Sequence, residues 1–221
     1  MRWTEQPIFF IDFEGSRASG ILEYGIATLH GGGVTGVVTR LCAPTGLVRA
    51  EDTEIHGLGV DSLSGCAPFS GDWEIFAGHR ERGPFAAHYA GVENSLLRVA
   101  WPYPRVSPDF ARPGGQAAEW GPWIDTARIF PQLYPNLESG RLESLVGACG
   151  LQAELDSLAR ARCPAGRRQY HAALYDAIAG ALLLGSLSRH PQLAALTVTQ
   201  LLALSTLDAR RRDSIVQREL F

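Results

Sequence analysis

The sequence predicts an α/β fold built on a mixed β-sheet. Three runs of β-forming residues open the chain, at 8–11, 21–29 and 34–42, and the glycines at 31–33 can supply the tight turn between the last two. Short apolar runs and helical stretches alternate after residue 84. A β-meander followed by alternating helices and strands is typical of a mixed sheet that helices cover.

The first run also predicts where the centre of the sheet lies. Residues 8–11 are continuously apolar, which is typical of a strand buried on both faces. Residues 43–83 carry loop signals and one or two short helices. A further short strand is predicted at 84–87, and a helix at 93–100 ends at the Trp-Pro pair that follows it.

The second half of the chain is predicted to be mainly helical. Residues 101–122 are rich in proline, glycine and tryptophan and predict a long loop. A last strand at 123–125 leads into a helix at 126–133, and another helix is predicted at 142–149. The strongest helix spans 170–188, where alanine, leucine and isoleucine dominate.

The chain beyond Pro191 is predicted to form an extension. Its pattern indicates two helices, at 193–205 and 206–220. We therefore expect one main domain over residues 1–190 and a C-terminal helical extension, residues 191–221, packed on the same domain.

Composition and charge exclude several classes of protein. The 221 residues carry a net charge of −3, which excludes a strongly basic surface over the whole chain but leaves local basic patches open. The longest apolar stretch, 177–187, is far shorter than the ~20 residues that span a membrane, so no membrane association is expected. The four cysteines lack metal-ligand spacing, and we expect a cytoplasmic protein with reduced thiols.

Two carboxylates stand at the end of the first strand. Asp12 and Glu14 are two residues apart, so an extended strand projects both from the same face. Like charges held side by side repel, and a bound divalent cation is the simplest reason to keep them together. A polar strand end at the surface is the alternative, and for this pair alone it is the better explanation.

Three other segments carry groups that could take part in chemistry. His171 and Asp176 lie at the start of the strongest predicted helix, and His88 and Glu93 lie where a short strand turns into an apolar helix. The sequence Ile-His-Gly-Leu at 55–58 predicts a loop with an apolar tip. Taken singly, each has a plain structural explanation: a helix-capping acid, a surface histidine or an ordinary turn.

Five short motifs follow one another in a fixed order along the chain. They are Phe-Ile-Asp-Phe-Glu, Ile-His-Gly-Leu, His-x4-Glu before Leu-Leu, Ile-Asp-Thr-Ala and His-Ala-Ala-Leu-Tyr-Asp-Ala. In this order they resemble the DEDDh 3′–5′ exonucleases, a family that includes proofreading subunits of bacterial DNA polymerases and RNase T. The resemblance runs from about residue 8 to about residue 187, and His171, five residues before Asp176, matches the histidine branch of that family.

The resemblance implies both a fold and an activity. The fold is RNase H-like, with a five-stranded mixed β-sheet flanked by helices on both faces. The activity is metal-dependent hydrolysis of phosphodiester bonds from the 3′ end of single-stranded DNA or RNA, which releases nucleoside monophosphates. The implied cofactors are two Mg²⁺ ions, for which Mn²⁺ can substitute.

The resemblance also implies a role for each candidate residue. Asp12 would bridge both ions, Glu14 and Asp176 would complete the first metal site, and Glu93 would hold the second. His171 would take the proton from the attacking water.

Four further residues are expected to contact the substrate. Gly15 and Ser16 follow the metal-binding acids and would let the backbone approach the 3′-terminal nucleotide. Leu58, at the apolar loop tip, would pack on a base. His88 is the fourth expected contact.

Two positions depart from the family pattern and leave other functions open. The family usually has aspartate where this chain has Glu93, and asparagine where it has Tyr89. The extra methylene shifts a carboxylate by roughly 1 Å, which can cost on the order of 100-fold in rate. The alternatives are a catalytically weak member that binds nucleic acid or protein, and a phosphodiesterase for small nucleotides. A protein partner or a homodimer is expected through residues 101–122 or the C-terminal helices.

Four arginines lie shortly before His171: Arg160, Arg162, Arg167 and Arg168. They could contact substrate phosphates near the site, or they could form a solvated basic loop, and the sequence leaves both readings open. The arginine run at 210–212 is predicted to be a solvated helix face.

Overall fold

Five strands form the main β-sheet in the computed structural model, which describes residues 1–206. The described part of the chain contains seven strands in all: β1 (Ile8–Ser16), β2 (Gly20–His30), β3 (Gly33–Leu41), β4 (Phe85–Ala87), β5 (Ser107–Pro108), β6 (Gln116–Ala117) and β7 (Trp123–Asp125). The main sheet has the order β3-β2-β1-β4-β7, and β5 pairs with β6 in a separate hairpin. Antiparallel pairing joins β1 to β2 and β2 to β3, whereas β1, β4 and β7 run parallel. The expected five-stranded mixed sheet is confirmed.

Helices cover both faces of this sheet, as expected. The α-helices in the described part of the chain are α1 (Ala50–His56), α2 (Trp73–Arg82), α3 (Ala90–Ala100), α4 (Thr126–Leu133), α5 (Leu142–Ala148), α6 (Gln152–Arg162), α7 (Ala173–Ser186), α8 (Pro191–Ala194) and α9 (Val198–Leu204). Helix α7 packs across β1, β2 and β3 on one face. Side chains of α2 and α3 contribute to the core on the opposite face.

Strand β1 lies at the centre of the sheet and is buried on both faces. Ile8 and Phe10 belong to the core that α7 covers, whereas Phe9 and Ile11 belong to the core on the other face. All four side chains are at most 2% exposed. This burial of apolar surface holds β1 firmly between the two helical layers. The C-terminal end of β1 is thereby fixed relative to α3 and α7.

Two glycines allow α7 to approach the sheet closely. A Cβ atom at Gly180 would lie 2.0 Å from the ring of Phe10, and one at Gly25 would lie 2.3 Å from the carbonyl oxygen of Ala173. Both distances are far below van der Waals contact, so a larger residue at either position would push the helix away. The first turn of α7 is therefore held directly over β1 and β2.

The predicted bounds differ most from the structure at three element ends: β1 extends to Ser16 and not to residue 11, α3 begins at Ala90 and not at residue 93, and the strongest helix begins later than predicted. Strand β7 and helix α4 have the predicted bounds. Helix α7 begins at Ala173 and not at residue 170, because His171 adopts a left-handed backbone conformation with φ of 63°. A residue in that conformation cannot continue a right-handed helix.

One helix was missed by the sequence analysis. Residues of α6 were read as part of a loop, but they form three helical turns, so Arg160 and Arg162 lie in the last turn of a helix. Cations are favourable at that end of a helix because they interact with its dipole. The loop explanation for these two arginines is therefore wrong.

The segment 101–122 contributes to the core instead of forming an apolar outer surface. Trp101 and Trp120 are 8% and 1% exposed, and the indole of Trp120 donates a hydrogen bond of 2.7 Å to the carbonyl of Trp101. Trp120 also stacks on Phe85 of β4 at a ring separation of 6.1 Å. Its tryptophans therefore belong to the core, and the expected contact of residues 101–122 with a protein partner stays a prediction.

A buried arginine ties this segment to α2. Arg80 is fully buried, and its guanidinium donates hydrogen bonds to main-chain carbonyls on both sides of the β5–β6 hairpin. The acceptors are Pro108, Glu119, Trp120 and Gly121. Burial lowers the pKa of Arg80 to about 10, which leaves it charged at neutral pH. One side chain thus satisfies four carbonyls that would otherwise lack a donor.

The last described residues pack on the main sheet. The Ser205 hydroxyl accepts a hydrogen bond of 2.9 Å from the main-chain N–H of Asp125, and α9 contacts both β7 and α4. The predicted helix at 193–205 is divided into α8 and α9. The second predicted tail helix and the arginine run at 210–212 lie outside the described residues. Within residues 1–206, every helix is too short or too polar to cross a membrane.

The burial of Arg80 predicts a large effect on stability. Arg80→Met would leave several buried carbonyls without a donor, and we expect a loss of about 3 kcal/mol in the free energy of unfolding. The matched control is Arg98→Met, at an exposed position of α3, which should change stability by less than about 0.5 kcal/mol. Urea denaturation of the three proteins measures both values. Equal stability of the two variants would contradict the anchoring role of Arg80.

Candidate active site

The end of β1 carries two of the predicted acids. Asp12 and Glu14 lie on the same strand, and a bulge after Glu14 shifts the pairing with β2. At the bulge Gly15 has φ of 128°, and a Cβ atom there would lie only 2.3 Å from the carbonyl oxygen of Gly20. Glycine is required here by the backbone itself. The expected contact of Gly15 with a nucleotide stays a prediction.

Helix α3 brings a third carboxylate to this strand end. Glu93 lies in the first turn of α3 and is 5% exposed. Its Oε2 atom accepts a hydrogen bond of 3.0 Å from the main-chain N–H of Phe13, which stands between Asp12 and Glu14. The glutamate is therefore fastened directly to the strand that carries the other acids.

Helix α7 brings the fourth carboxylate from the other layer. Asp176 is 8% exposed, and its Oδ2 atom accepts a hydrogen bond of 2.9 Å from the main-chain N–H of His171. Its Oδ1 atom is buried and has no hydrogen-bond partner within residues 1–206. Buried carboxylate oxygens almost always have a partner, so this one fits a ligand to a bound cation.

The imidazole of His171 completes a group that could hold a metal ion. One ligand atom from each of Glu14, His171 and Asp176 lies within 4.8 Å of the other two. His171 is exposed, whereas the two acids are buried. The two carboxylates are oxygen ligands suited to a divalent cation such as Mg²⁺ or Mn²⁺, whereas an imidazole suits these ions less well and can stay free beside them. The residues present therefore fit the implied cofactor.

Burial and mutual repulsion raise the pKa values of all four carboxyls. Burial is the larger cause at Asp12, and repulsion by Glu93, Asp176 and Glu14 raises its pKa further above the usual value. The same two causes raise the pKa of Glu14 to about 8 and that of Glu93 to about 8. Burial raises the pKa of Asp176 to about 7, against the hydrogen bond from His171. A bound cation would let all four ionise together.

A fifth acid, Glu23, was missed by the sequence analysis, and so was its ion pair with Arg167. Glu23 of β2 pairs with Glu14 across the sheet and is only 2% exposed. Arg167 forms a two-pronged ion pair with it, in which Nε lies 3.2 Å from Oε1 and Nη2 contacts Oε2. Arg167 is therefore not part of a solvated loop. A charged residue inside an otherwise apolar strand was the available signal for Glu23.

Comparison with solved structures finds the same fold, whereas comparison of sequences finds no match. No family model and no curated protein matches the sequence. Among solved structures, Exonuclease X in complex with 5′ overhanging duplex DNA matches at a TM-score of 0.64 and 19% identity, over 90% of this chain and 99% of that one. The nuclease domain of 3′hExo, a DEDDh family member, bound to rAMP, matches at 0.60 and 11%, over 86% and 94%. The protein has a DEDDh-type exonuclease fold.

A larger exonuclease shares the fold over part of its length. E. coli Exonuclease I in complex with a dA16 oligonucleotide matches at a TM-score of 0.62 and 14% identity. The alignment covers 86% of this chain but only 42% of Exonuclease I. The DEDDh-type fold is thus common to exonucleases of different total length.

Two of the expected substrate contacts are turned inward in this DEDDh-type fold. Leu58 is 3% exposed and packs with Leu22 and Leu63, which contradicts the expected apolar tip at this position. The exposed large apolar side chains on either side of Leu58 are Ile55, in the last turn of α1, and Val60, each 59% exposed. The difference arises because the chain after α1 directs the side chain of Leu58 towards Leu22 of β2 and not towards solvent.

His88 is also held within the fold. Its Nδ1 atom accepts a hydrogen bond of 2.9 Å from the Thr126 hydroxyl, and its Nε2–H donates to the carbonyl of Gly140 at 2.8 Å. Burial lowers the pKa of His88 to about 4, so the ring is neutral. These contacts connect β4 to α4, and they leave neither ring nitrogen free for a substrate. Ser16 has its hydroxyl 3.2 Å from that of Ser19 in the β1–β2 turn, and its contact with a nucleotide stays a prediction.

The motif Ile-Asp-Thr-Ala has a structural explanation. Asp125 accepts hydrogen bonds from the main-chain N–H groups of Tyr89 and Ala90, at 3.1 and 3.2 Å, and caps α4 through Ala127. It therefore holds the starts of both α3 and α4. Tyr89 is 47% exposed, and its φ of 66° is a left-handed conformation. The hydrogen bond from its N–H to Asp125 stabilises this conformation.

The raised pKa values predict how stability depends on pH without metal. Unfolded carboxyls titrate near pH 4, whereas Glu14 and Glu93 titrate near 8 in the folded protein. The protonated forms are favoured by folding, so the metal-free protein should lose stability as the pH rises from about 4 to about 8. Thermal unfolding in EDTA across this range measures the effect, and a melting temperature that rises with pH there would contradict it.

Removing one of these charges should reverse part of that loss. At pH 8 in EDTA we expect Asp12→Asn to unfold at a higher temperature than the wild type, because it relieves repulsion with four neighbouring acids. Added Mg²⁺ should stabilise the wild type and have a smaller effect on the variant. Asp61→Asn removes the charge of an exposed acid that does not belong to this cluster, so it is the control and should behave like the wild type.

Proposed function

We propose that this protein is a divalent-metal-dependent 3′–5′ exonuclease that removes nucleoside monophosphates from single-stranded DNA or RNA. The observation that carries this proposal is the group of Glu14, Asp176 and His171, whose ligand atoms lie within 4.8 Å of one another, with Asp12 on the same strand as Glu14 and Glu93 hydrogen-bonded to the N–H of Phe13 between them. These residues come from β1, α3 and α7, and no core-packing requirement would bring four carboxylates together. The similarity of the fold to known exonucleases supports the same conclusion.

The four acids would hold the metal ions, of which we propose two. Glu14 and Asp176, whose Oδ1 atom has no hydrogen-bond partner within residues 1–206, would hold the first, Glu93 would hold the second, and Asp12 would be a ligand to both. A bound divalent cation would activate water and stabilise negative charge on the phosphate oxygens. Mg²⁺ prefers carboxylate oxygens and would be the resident ion, and Mn²⁺ could replace it.

His171 would act as the general base in the reaction. Its imidazole is exposed beside the buried Glu14 and Asp176, where it can meet a water molecule bound next to the substrate phosphate. The water oxygen forms a bond to phosphorus as the bond from phosphorus to the 3′ oxygen breaks, and the 3′ oxygen leaves with the electron pair and takes a proton from solvent water to become the new 3′-hydroxyl. The proton passes to His171, and the products are a nucleoside 5′-monophosphate and a chain shorter by one nucleotide.

The substrate is proposed to be held at its end and not along a long duplex. A net charge of −3 gives no extended basic surface, so few phosphates can be contacted at once. The exposed Arg17, in the turn directly after β1, donates to the hydroxyl of Ser95 on α3 at the edge of the acidic cluster. It is the nearest candidate along the chain to contact a terminal phosphate.

A hydrolysis assay tests the proposed function. We expect the wild type with Mg²⁺ to shorten single-stranded DNA or RNA, labelled at its 5′ end, one nucleotide at a time. Asp12→Asn should abolish this activity, whereas Asp61→Asn should retain it. A labelled dinucleotide in the same assay tests the small-nucleotide phosphodiesterase alternative. Undiminished hydrolysis by a clean preparation of Asp12→Asn would refute the metal assignment.

Glu93 distinguishes an adapted enzyme from a catalytically weak one. The hydrogen bond from Phe13 and the burial of Glu93 favour a pocket that is fitted to glutamate. Glu93→Asp would draw the carboxylate back by about 1 Å, and we expect the initial rate at saturating Mg²⁺ to fall on the order of 100-fold. A faster aspartate variant would favour a weak enzyme that mainly binds nucleic acid or protein.

We also propose that the chain consists of a catalytic domain and a C-terminal extension. We assign the catalytic function to residues 1–190 and regard residues 191–221 as an extension packed on that domain. Contacts of α9 with β7 and α4 support this for the described part of the extension.

A further inference from the structure

Arg167 lies among the acids of the site, and the proposed reaction gives it no role. We propose that Arg167 is a positioning residue, which holds the main chain of His171 so that the imidazole faces Glu14 and Asp176. This inference rests on the proposed function, because it assigns Arg167 to the service of the proposed general base. It replaces both earlier readings of this residue, the phosphate contact and the solvated loop.

Three hydrogen bonds fix the short link at residues 171–173, where the chain enters α7. The N–H of His171 donates to Asp176 at 2.9 Å, and the carbonyl of His171 accepts from Nη2 of Arg167 at 3.1 Å. Two residues later, the N–H of Ala173 donates to Oε2 of Glu23 at 3.0 Å. Since Arg167 and Glu23 are themselves paired, these anchors form one connected network.

The backbone of His171 needs such support. Its φ of 63° is the left-handed conformation, which is sterically unfavourable for a residue other than glycine. Residues persist in that region only where surrounding contacts impose it. The bond from Arg167 to the carbonyl and the bond from the N–H to Asp176 hold the two sides of this residue. The imidazole direction follows from the backbone that they fix.

Arg167 can impose this geometry because it is itself immobilised at three points. Its side chain is 14% exposed, and Nη1 donates to the carbonyl of His56 at the end of α1 at 2.6 Å. The guanidinium therefore joins β2, the end of α1 and the His171 link in one plane. A lysine has a single ammonium and could not occupy these three positions together.

The same contacts oppose a direct role in phosphate binding. Arginine has five N–H donors, and Arg167 directs hydrogen bonds from all three of its nitrogens to protein acceptors: Glu23, His56 and His171. Little of the guanidinium remains for a substrate. Arg168 offers a contrast, since it is exposed and makes a single long hydrogen bond, to the carbonyl of Cys163.

A kinetic comparison of the two neighbouring arginines tests the inference. In Arg167→Met, we expect kcat to fall by about 100-fold through misplacement of His171, with KM and the oligonucleotide Kd unchanged. Arg168→Met is the matched control: a phosphate contact made by Arg168 would change KM and Kd, so kcat should stay at the wild-type value. A rise in KM and Kd at unchanged kcat would show that Arg167 contacts the substrate, and it would overturn the positioning role.

A second measurement does not depend on nuclease activity. Amide hydrogen exchange over residues 171–176 should be faster in Arg167→Met than in the wild type and in Arg168→Met, with the strands unchanged. If the wild type hydrolyses no nucleic acid, the proposed function fails, and this exchange still decides whether Arg167 holds the link. Unchanged exchange in this segment would overturn the inference.

Arg167→Lys covers the case in which Arg167→Met does not fold. It keeps the positive charge next to Glu23 but loses the planar fork. We expect the same fall in kcat and the same faster exchange at 171–176. A lysine variant that matches the wild type in both readouts would show that charge alone is sufficient, and it would contradict the geometric role.

Discussion

Repulsion among buried carboxylates at the end of β1 is the constraint on which the site depends. Burial raises the pKa values of the four acids, and each acid disfavours the charge of its neighbours. Main-chain N–H groups offset part of this cost, from Phe13 to Glu93 and from His171 to Asp176. The compensation is incomplete at the Oδ1 atom of Asp176, which has no hydrogen-bond partner among residues 1–206. A divalent cation supplies the missing positive charge, so the arrangement makes physical sense as a metal site.

The fold keeps these acids together because the elements that carry them cannot move apart. Strand β1 is buried on both faces, and the close contact of Gly180 with Phe10 fixes α7 against it. Glu93 is tied to β1 by its own side chain, and Arg167 links the start of α7 to β2. The packing of the core and the geometry of the site therefore depend on each other. If α7 moved away from β1, the carboxylates would separate, and without the core packing their repulsion would drive α7 away from β1.

The sequence predicts the sheet well because its strands are apolar runs whose burial follows from composition. It predicts the four acids and His171 through the order of their motifs. It could not predict the start of α7, which depends on hydrogen bonds to His171 from residues elsewhere in the fold. The pairing of Glu23 with Arg167 joins positions 144 residues apart, and no local pattern encodes it. Leu58 was misplaced for a similar reason, since the direction of a loop side chain is set by tertiary packing.

The central claim is that the carboxylates of β1 and α7 bind a divalent cation. Crystals soaked in Mn²⁺ and measured near the manganese absorption edge test this most directly, because anomalous scattering locates the ion without reference to activity. The account predicts an anomalous peak among the carboxylate oxygens of Asp12, Glu14 and Asp176. A crystal that holds Mn²⁺ elsewhere, with no ion among these three carboxylates, would contradict it.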